Sequence, residues 1–285
     1  MTFRINPLLL LLVAAATFWT ACDDVIDLEL PDAEPRLSVE TTITNLDTVQ
    51  MIRLSYSSNY FSNAPAPAVG GALVVLTDDT GGVDTFSENG TAGLYLSDVR
   101  KTVGRSYTLF IRTPDGKTYQ SEPQLLREPV PVDSIYWEYE PNGEFDNDSL
   151  PPGGYNILIV TTEPPGSGDF YRWRNYINGT FLNEPANLQF SNDNFVDGNT
   201  TTGFYINAEL VPPGGHFRLE QMRISEDMYN YLNLLRTQTA FIGGPFDPPP
   251  APIPSNIRCL SDPNEKVYGF FCCAGTSVAE IIVPD

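Results

Sequence analysis

The sequence is poor in the side chains that carry most enzyme chemistry and in positive charge. It has 285 residues with one histidine, His216, and 16 Lys+Arg against 36 Asp+Glu, for a net charge of −20. A lone histidine cannot form a multi-histidine metal site, and a strongly negative chain repels the phosphate backbones of nucleic acids. We therefore expect no nucleic-acid partner, and we expect attachment to a membrane only through a lipid.

Motifs of known catalytic classes are also missing. The sequence has no Gly-x-Ser-x-Gly elbow, no phosphate-binding loop and no dinucleotide fingerprint. His216 directly follows Pro-Pro-Gly-Gly and is interpreted as a turn or strand-start residue. We expect no catalytic residues, no cofactor and no enzyme activity, and a hydrolase with an unrecognised site is the least favoured alternative.

The long apolar run near the N-terminus is too short to span a bilayer. "PLLLLLVAAATFW" occupies residues 7–19, whereas a spanning helix needs about 20 apolar residues. Arg4 precedes this run, and small residues and Cys22 follow it, which is typical of a secretory signal that ends at a lipidated cysteine. We predict a lipoprotein signal peptide at residues 1–21 and acylation of Cys22, for example by palmitate. Trp19 replaces the usual leucine, so an ordinary signal is the alternative.

Prolines and glycines divide the rest of the chain into short segments. There are 25 prolines and 22 glycines, and many of the segments alternate apolar and polar residues, which is typical of β-strands. The clearest predicted strands are 36–43, 106–113, 155–162 and 217–224. Turn sequences at 77–82 and 113–119 predict hairpins. The sequence therefore predicts a mainly β protein.

One segment, residues 225–239, has the period of an amphipathic helix instead. Ser225 can cap its N-terminus, and two acidic residues follow in the first turn. The apolar stripe consists of Met228, Leu232 and Leu235. We interpret this helix as a cover for a sheet.

The order of these segments resembles one known family. "DDVIDLELPDAEPRLSVETTITN", "GALVVLTDDTGG", "GRSYTLFIRTPDGKTYQSEP", "GDFYRWRNYING" and "VYGFFCCAGTSVAEIIV" look like successive parts of the Bacteroidota outer-membrane lipoproteins grouped as domain of unknown function 4249. The resemblance covers nearly the whole chain after the signal peptide. It implies a lipid-anchored outer-membrane protein that faces the cell exterior and is associated with a TonB-dependent receptor. It implies no established activity.

The composition of the chain also predicts a domain organisation, with an acidic, proline-rich tether at 22–35. The resemblance implies that Asp23 and Asp24 look like a surface-export signal; an ordinary solvated linker is the alternative. Residues 36–127 are predicted as an N-terminal β-sandwich that resembles transthyretin-like and carboxypeptidase-regulatory modules. Residues 133–285 are predicted as a C-terminal β-rich domain that carries the helix, so the fold class is mainly β with two β-sandwich-like domains.

Three cysteines remain beyond Cys22, and an exported protein folds in an oxidising compartment. We predict a disulfide from Cys259 to either Cys272 or Cys273. Successive strand residues point to opposite faces, so only one of the adjacent pair can meet Cys259 easily. The alternatives are a bond between Cys272 and Cys273 and a metal site formed by the three thiols.

The segment "SNDNFVDGN" gathers oxygen-bearing side chains that resemble calcium ligands. It contains Asp193, Asp197 and Asn199. An EF-hand loop that starts at Asp193 would need oxygen ligands where Phe195 and Phe204 stand. We therefore interpret the segment as a polar turn and predict no metal site.

Aromatic residues cluster in "DSIYWEYE" and "GDFYRWRNY", and we interpret most of them as core. In the second cluster, strand periodicity predicts Arg172 and Arg174 on one face, with Tyr171 and Trp173 on the other. The ligand is unknown. The leading hypothesis is a non-enzymatic surface lipoprotein that assists a TonB-dependent receptor in nutrient capture or uptake. The alternative is an adhesive or matrix-binding surface lipoprotein.

Overall fold

The computed structural model describes residues 34–58, 62, 64–141, 153–207, 209–239 and 253–285. In this part of the chain the protein is mainly β, as the sequence predicts, and residues Pro35–Asp285 form one compact unit. The strands are β1 Leu37–Thr44, β2 Gln50–Tyr56, β3 Leu73–Asp78, β4 Val83–Glu88, β5 Leu94–Ser97, β6 Ser106–Arg112, β7 Thr118–Ser121, β8 Gln124–Leu125, β9 Ser134–Glu140, β10 Gly154–Thr162, β11 Phe170–Ile177, β12 Thr180–Phe181, β13 Gln189–Asn192, β14 Thr200–Tyr205, β15 His216–Ile224, β16 Ile257–Cys259 and β17 Tyr268–Ile282.

The local predictions from periodicity and turn chemistry are confirmed. The four strands named above correspond to β1, β6, β10 and β15, and each boundary agrees within one residue. The turn at 77–82 joins β3 to β4, and the turn at 113–119 joins β6 to β7. These features depend on short stretches of sequence, because strand alternation and turn geometry are both local properties.

The strands form one large and one small sheet. The large sheet has fourteen strands in the order β12-β11-β15-β17-β1-β2-β5-β4-β3-β6-β7-β16, with β13 paired to β11 and β8 paired to β6. The small sheet has the order β14-β10-β9. Most pairs are antiparallel, but β1 and β17 are parallel. Strands from the two ends of the sequence therefore lie next to each other.

Strand β17 is long enough to join two parts of the large sheet. Its first half pairs with β1, from Tyr268 to Ala274, and its second half pairs with β15, from Gly275 to Ile282. Strand β16 pairs with β7. The last strands of the sequence thus complete the sheet that the predicted N-terminal domain begins, while the division at 127–133 stays a prediction.

The one α-helix of the described residues, α1, comprises Glu226–Thr239 and confirms the predicted helix. Ser225 caps it, because its Oγ accepts a hydrogen bond from the Met228 N–H at 3.2 Å. Met228 and Leu232 are buried against the sheet. In the described part of the chain, no helix has the length and apolar character that a membrane crossing requires.

Three groups of buried side chains make up the core. The first lies among β1–β7, β16 and β17, and the second lies between the small sheet and β11 and β15. The third lies under α1 and includes Phe190, Met222, Ile224, Phe270 and Cys272. Strand β11 separates the second group from the third, because alternate side chains of one strand point to opposite faces.

Candidate functional site

A groove of about 920 Å³ lies between α1 and one face of β1, β11 and β17. Its walls combine apolar and aromatic side chains with polar ones. The apolar part includes Phe181, Met228, Tyr231, Leu232, Leu235 and Phe270. The polar part includes Glu40 and Arg53, which form an ion pair at 3.6 Å. A concave apolar surface with a few polar groups is the usual form of a small-molecule site.

Two arginines from β11 project into this groove. The predicted alternation is confirmed: Tyr171 and Trp173 pack in the core, whereas Arg172 and Arg174 line the groove. Among the residues that the structure describes, neither guanidinium has a carboxylate partner, and the Nε atoms of both are buried without a hydrogen-bond partner. Arg174 donates to Thr42 Oγ1 at 2.8 Å, and its guanidinium lies 5.8 Å from the centre of the Phe181 ring.

Arg172 and Arg174 are two neighbouring cations that repel each other, and Arg172 is largely shielded from water. Burial, and next the charge of Arg174, lower the pKa of Arg172 to about 10, so the side chain stays protonated at neutral pH. Glu220 also lines the groove, but its carboxylate binds Arg218 at 2.9 Å and accepts a hydrogen bond from the Tyr176 hydroxyl at 3.2 Å. Arg172 and Arg174 are therefore cations of the groove that have no carboxylate partner among the described residues and could bind an anion.

A second charged cluster lies where three strands begin or end. Glu163 directly follows β10, Asp169 directly precedes β11, and Asp193 directly follows β13. All three carboxylates are buried, and one oxygen from each lies within 4.8 Å of the others. The fold therefore brings together residues that are distant in sequence, since Glu163 and Asp193 are 30 positions apart.

The cluster has several hydrogen-bond donors but one cation among the described residues. Arg223 donates through Nε and Nη2 to both oxygens of Asp169, at 2.6–2.8 Å. The Tyr171 hydroxyl donates to Glu163 at 2.7 Å. Burial raises the pKa of Glu163, and the neighbouring charges of Asp169 and Asp193 raise it further.

A smaller cavity of about 170 Å³ adjoins this cluster. Glu163 lines it together with aromatic side chains, including Tyr171, Trp173 and Phe204. The Trp173 indole N–H donates to Gln221 Oε1 at 3.1 Å, so its polar group is satisfied within the protein. Most of this aromatic cluster is core, as the sequence predicts.

The other aromatic cluster is more open than the core interpretation implies. Trp137 and Tyr139 of β9 are 40% and 54% exposed. Each packs edge-on against Tyr155, with ring centres 5.1 and 5.2 Å apart. These rings form a partly exposed surface on the small sheet.

The three described cysteines differ from the prediction, because all of them are free thiols in the structure. Cys259 and Cys273 belong to the first core group, whereas Cys272 points to the third. Cys259 Sγ instead accepts a hydrogen bond from the Asp262 N–H at 3.4 Å. Burial raises the pKa of Cys272 to about 11 and also raises the pKa of Cys273. Both thiols therefore resist ionisation, which suits packing more than redox chemistry.

The remaining predicted sites lie elsewhere in the chain. The signal peptide, Cys22, Asp23 and Asp24 lie outside the described residues. His216 begins β15, as predicted, and its Nε2 lies 3.3 Å from Glu280. Sequence reasoning placed Arg172 and Arg174 on one face but assigned them no role. The available signal was the presence of two alternating cations on a strand in a chain that has few.

Comparison with known proteins gives a family match over most of the chain and similarities to solved structures. No curated protein matches it. A two-domain fibronectin type III segment from chicken tenascin is similar at 14% sequence identity and a TM-score of 0.19, over 67% of this chain and 91% of that one. The family model described as domain of unknown function (DUF4249) matches residues 23–279. The chain therefore belongs to the DUF4249 family.

Proposed function

We propose that this protein is a non-enzymatic surface lipoprotein of the outer membrane that captures an anionic ligand with an apolar body for a TonB-dependent receptor. The observation that carries the ligand part is the pair of arginines without carboxylate partners in the apolar groove. The cysteine at the end of the signal sequence and the resemblance stated above support the anchoring and the receptor. The ligand itself is the nutrient or a part of it.

The charges favour a ligand with a carboxylate or a phosphate. Burying an arginine away from water is costly unless an anion or hydrogen-bond acceptors compensate it. Arg172 and Arg174 carry two positive charges in a chain whose net charge is −20, yet no described carboxylate pairs with either. A bound anion would supply the missing partner and could accept hydrogen bonds from both guanidinium groups.

The groove walls favour an apolar body attached to that anion. Helix α1 contributes Met228, Leu232 and Leu235, and the sheet contributes Phe270. Burying an apolar chain against such walls stabilises a complex by about 25 cal/mol per Å² of surface removed from water. Affinity then depends on both parts of the ligand, since the anion alone would gain little from the walls.

A binding titration with defined probes tests this proposal. Isothermal titration of the mature chain would compare decanoate and decyl phosphate with decanol, which has the same chain without the charge. We expect the anionic probes to bind and decanol to bind at least about tenfold more weakly, a difference of about 1.4 kcal/mol. Arg172→Gln should lower the affinity for the anionic probes until it approaches the affinity for decanol, because the substitution removes one of the two cations.

The control is Arg258→Gln, which removes an exposed arginine on β16. This variant should bind the probes as the wild type does. Thermal unfolding should show that Arg172→Gln is folded, because Arg172 has no ion-pair partner to lose among the described residues. Equal binding of decanoate and decanol, or equal losses in both variants, would contradict the proposal. Equal binding of the wild type and Arg172→Gln to polymer surfaces would favour the adhesive alternative.

A further inference from the structure

We propose that Glu163, Asp169 and Asp193 form a binding site for one calcium ion, which lies at the meeting point of β10, β11 and β13. The three side chains are 6%, 6% and 1% exposed, and one oxygen from each lies within 4.8 Å of the others. Oxygens that bind one calcium at about 2.4 Å lie at most about 4.8 Å apart. The spacing of the carboxylates therefore fits a shared ion.

An unsatisfied atom in the cluster points to a missing ligand. Asp193 Oδ2 accepts hydrogen bonds from the Gly168 and Asp169 N–H groups at 2.8 and 3.0 Å. The other oxygen of the same carboxylate, Oδ1, is buried and has no hydrogen-bond partner. A buried carboxylate oxygen that lacks a partner carries a desolvation cost, and a bound cation removes it.

The charges around the cluster are also unbalanced. Arg223 pairs with Asp169, and no other described cation forms an ion pair with the three carboxylates. Glu163 and Asp193 therefore lie close together in a buried setting without a cation partner among the described residues. Like charges at this separation repel strongly in a low-dielectric environment, and a divalent cation neutralises both of them.

The donor set selects the class of metal. All three ligands are carboxylate oxygens, which hard cations prefer, whereas zinc and copper prefer histidine and cysteine. Magnesium demands near-ideal octahedral geometry, whereas these three ligands come from the ends of three different strands. Calcium tolerates irregular geometry and more protein ligands, so it fits better than magnesium.

The position of the site suggests its consequence for the fold. Strand β10 belongs to the small sheet, whereas β11 belongs to the large sheet and pairs with β13. An ion bound by residues at the ends of all three strands would tie the two sheets together. Glu163 also lines the 170 Å³ cavity, which gives the ion a route from solvent.

The test uses the full mature lipoprotein in detergent, with calcium as the probe. The protein is first treated with a chelator and then dialysed against radioactive calcium in about 0.15 M sodium chloride, which screens weak binding to the acidic surface. We expect about one bound calcium per chain and a rise in the unfolding temperature of roughly 5 °C when calcium is in excess. Magnesium at the same concentration should give a smaller rise.

Two variants and one control assign the binding to these residues. Glu163→Gln and Asp193→Asn should lose the bound calcium and the temperature shift. Without metal, Glu163→Gln should unfold at the wild-type temperature or above it, because it removes a repelling charge and keeps an oxygen for the Tyr171 hydroxyl. Asp47→Asn changes an exposed carboxylate and should retain the calcium and the shift.

Several results would overturn the proposal. Wild-type protein that binds no calcium would refute it directly, whatever the variants do. Calcium that both variants retain would assign the binding to the surface. An equal effect of magnesium would refute the choice of calcium, and a Glu163→Gln protein that is less stable but keeps its calcium shift would show that Glu163 has only a structural role.

Discussion

Asp78 shows how one side chain can organise a turn at the residue scale. It ends β3, and its Oδ1 accepts hydrogen bonds from the Thr80 hydroxyl at 2.8 Å and from the N–H groups of Thr80 and Gly82 at 2.9 and 2.8 Å. Its Oδ2 lies 2.6 Å from Arg105 Nη1. These donors, chiefly the Thr80 hydroxyl and then the Gly82 N–H and Arg105, lower the pKa of Asp78 well below its usual range. The ionised carboxylate therefore stabilises the β3–β4 hairpin.

The lowered pKa predicts a pH dependence of stability. Because the folded state favours ionised Asp78, its contribution is complete above the ordinary pKa of 3.8 and is lost as the pH falls through the lower folded value. Asp78→Asn should therefore destabilise the protein at about pH 6, and this loss should shrink toward about pH 2. Urea unfolding of both proteins at a series of pH values measures the difference.

The neighbouring residue supplies a control for that measurement. Asp79 is exposed, and its side chain forms no hydrogen bond or ion pair within the turn at 77–82, so Asp79→Asn should change the urea midpoint little at any of these pH values. A loss for Asp78→Asn that stays constant across the pH range would show that the hydrogen-bond geometry, and not the charge, stabilises the turn.

At the scale of elements, the parallel pairing of β1 and β17 requires a close backbone approach. Gly269 lies opposite Val39 in this pair and has a φ of +88°. A Cβ atom added at Gly269 would lie 1.9 Å from the Val39 carbonyl oxygen, which no packing adjustment of a side chain can relieve. Glycine at this position therefore allows the last strand to join the first.

This crowding gives a prediction with a matched control. Gly269→Ala should lower the free energy of unfolding by about 3 kcal/mol or more, because it combines backbone strain with a clash. Gly81→Ala has a similar φ of +89° but nothing within 4 Å of the added Cβ, so it should cost only about 1 kcal/mol. Urea denaturation compares the two variants, and equal losses would contradict the role of the close approach.

At the scale of the whole molecule, the proposed lipid anchor can be tested at Cys22. Cys22→Ser should prevent acylation and release the protein from outer membranes, because the proposal attributes the attachment to acyl chains on this one cysteine. In an affinity purification from solubilised outer membranes, wild-type protein should copurify with a TonB-dependent receptor. A Cys22→Ser protein that still partitions into detergent would refute the lipid anchor.

The affinity purification tests the proposed receptor, whereas the titration of the groove tests the proposed ligand. If no receptor copurifies but the wild-type protein binds decanoate through Arg172, the ligand part of the proposal stands and the receptor part fails. If a receptor copurifies but the groove binds none of the probes, the receptor part of the proposal stands and the ligand part fails. The two experiments therefore examine different parts of the molecule.

The local structure could be predicted from sequence because its causes are local. Alternating side chains in "SYTLFIRT" and the Asp115-Gly116 turn that follows predicted β6 and its hairpin. Ser225 and the stripe of Met228 and Leu232 predicted α1 and its buried face. Family membership was also accessible from sequence, since the order of short segments along the chain carries it.

The cysteines show which features the periodicity of a strand does not predict. The sequence predicted that Cys272 and Cys273 face opposite sides of one strand, and they do. It also predicted a disulfide with Cys259, whereas the structure has three free thiols. Alternation along a strand determines which face a side chain occupies, but pairing across the core depends on distances that the fold sets.

Sequence by itself determined the strands, the turns, the helix and its cap, because each depends on residues a few positions apart. The tertiary structure alone decided the parallel contact of β1 with β17, the groove that contains Arg172 and Arg174, and the meeting of Glu163, Asp169 and Asp193. These features join residues that are distant along the chain, and their proximity results from the packing of whole sheets. Sequence placed Asp193 in a polar turn with Asp197 and Asn199, and only the fold brings it close to Glu163 and Asp169.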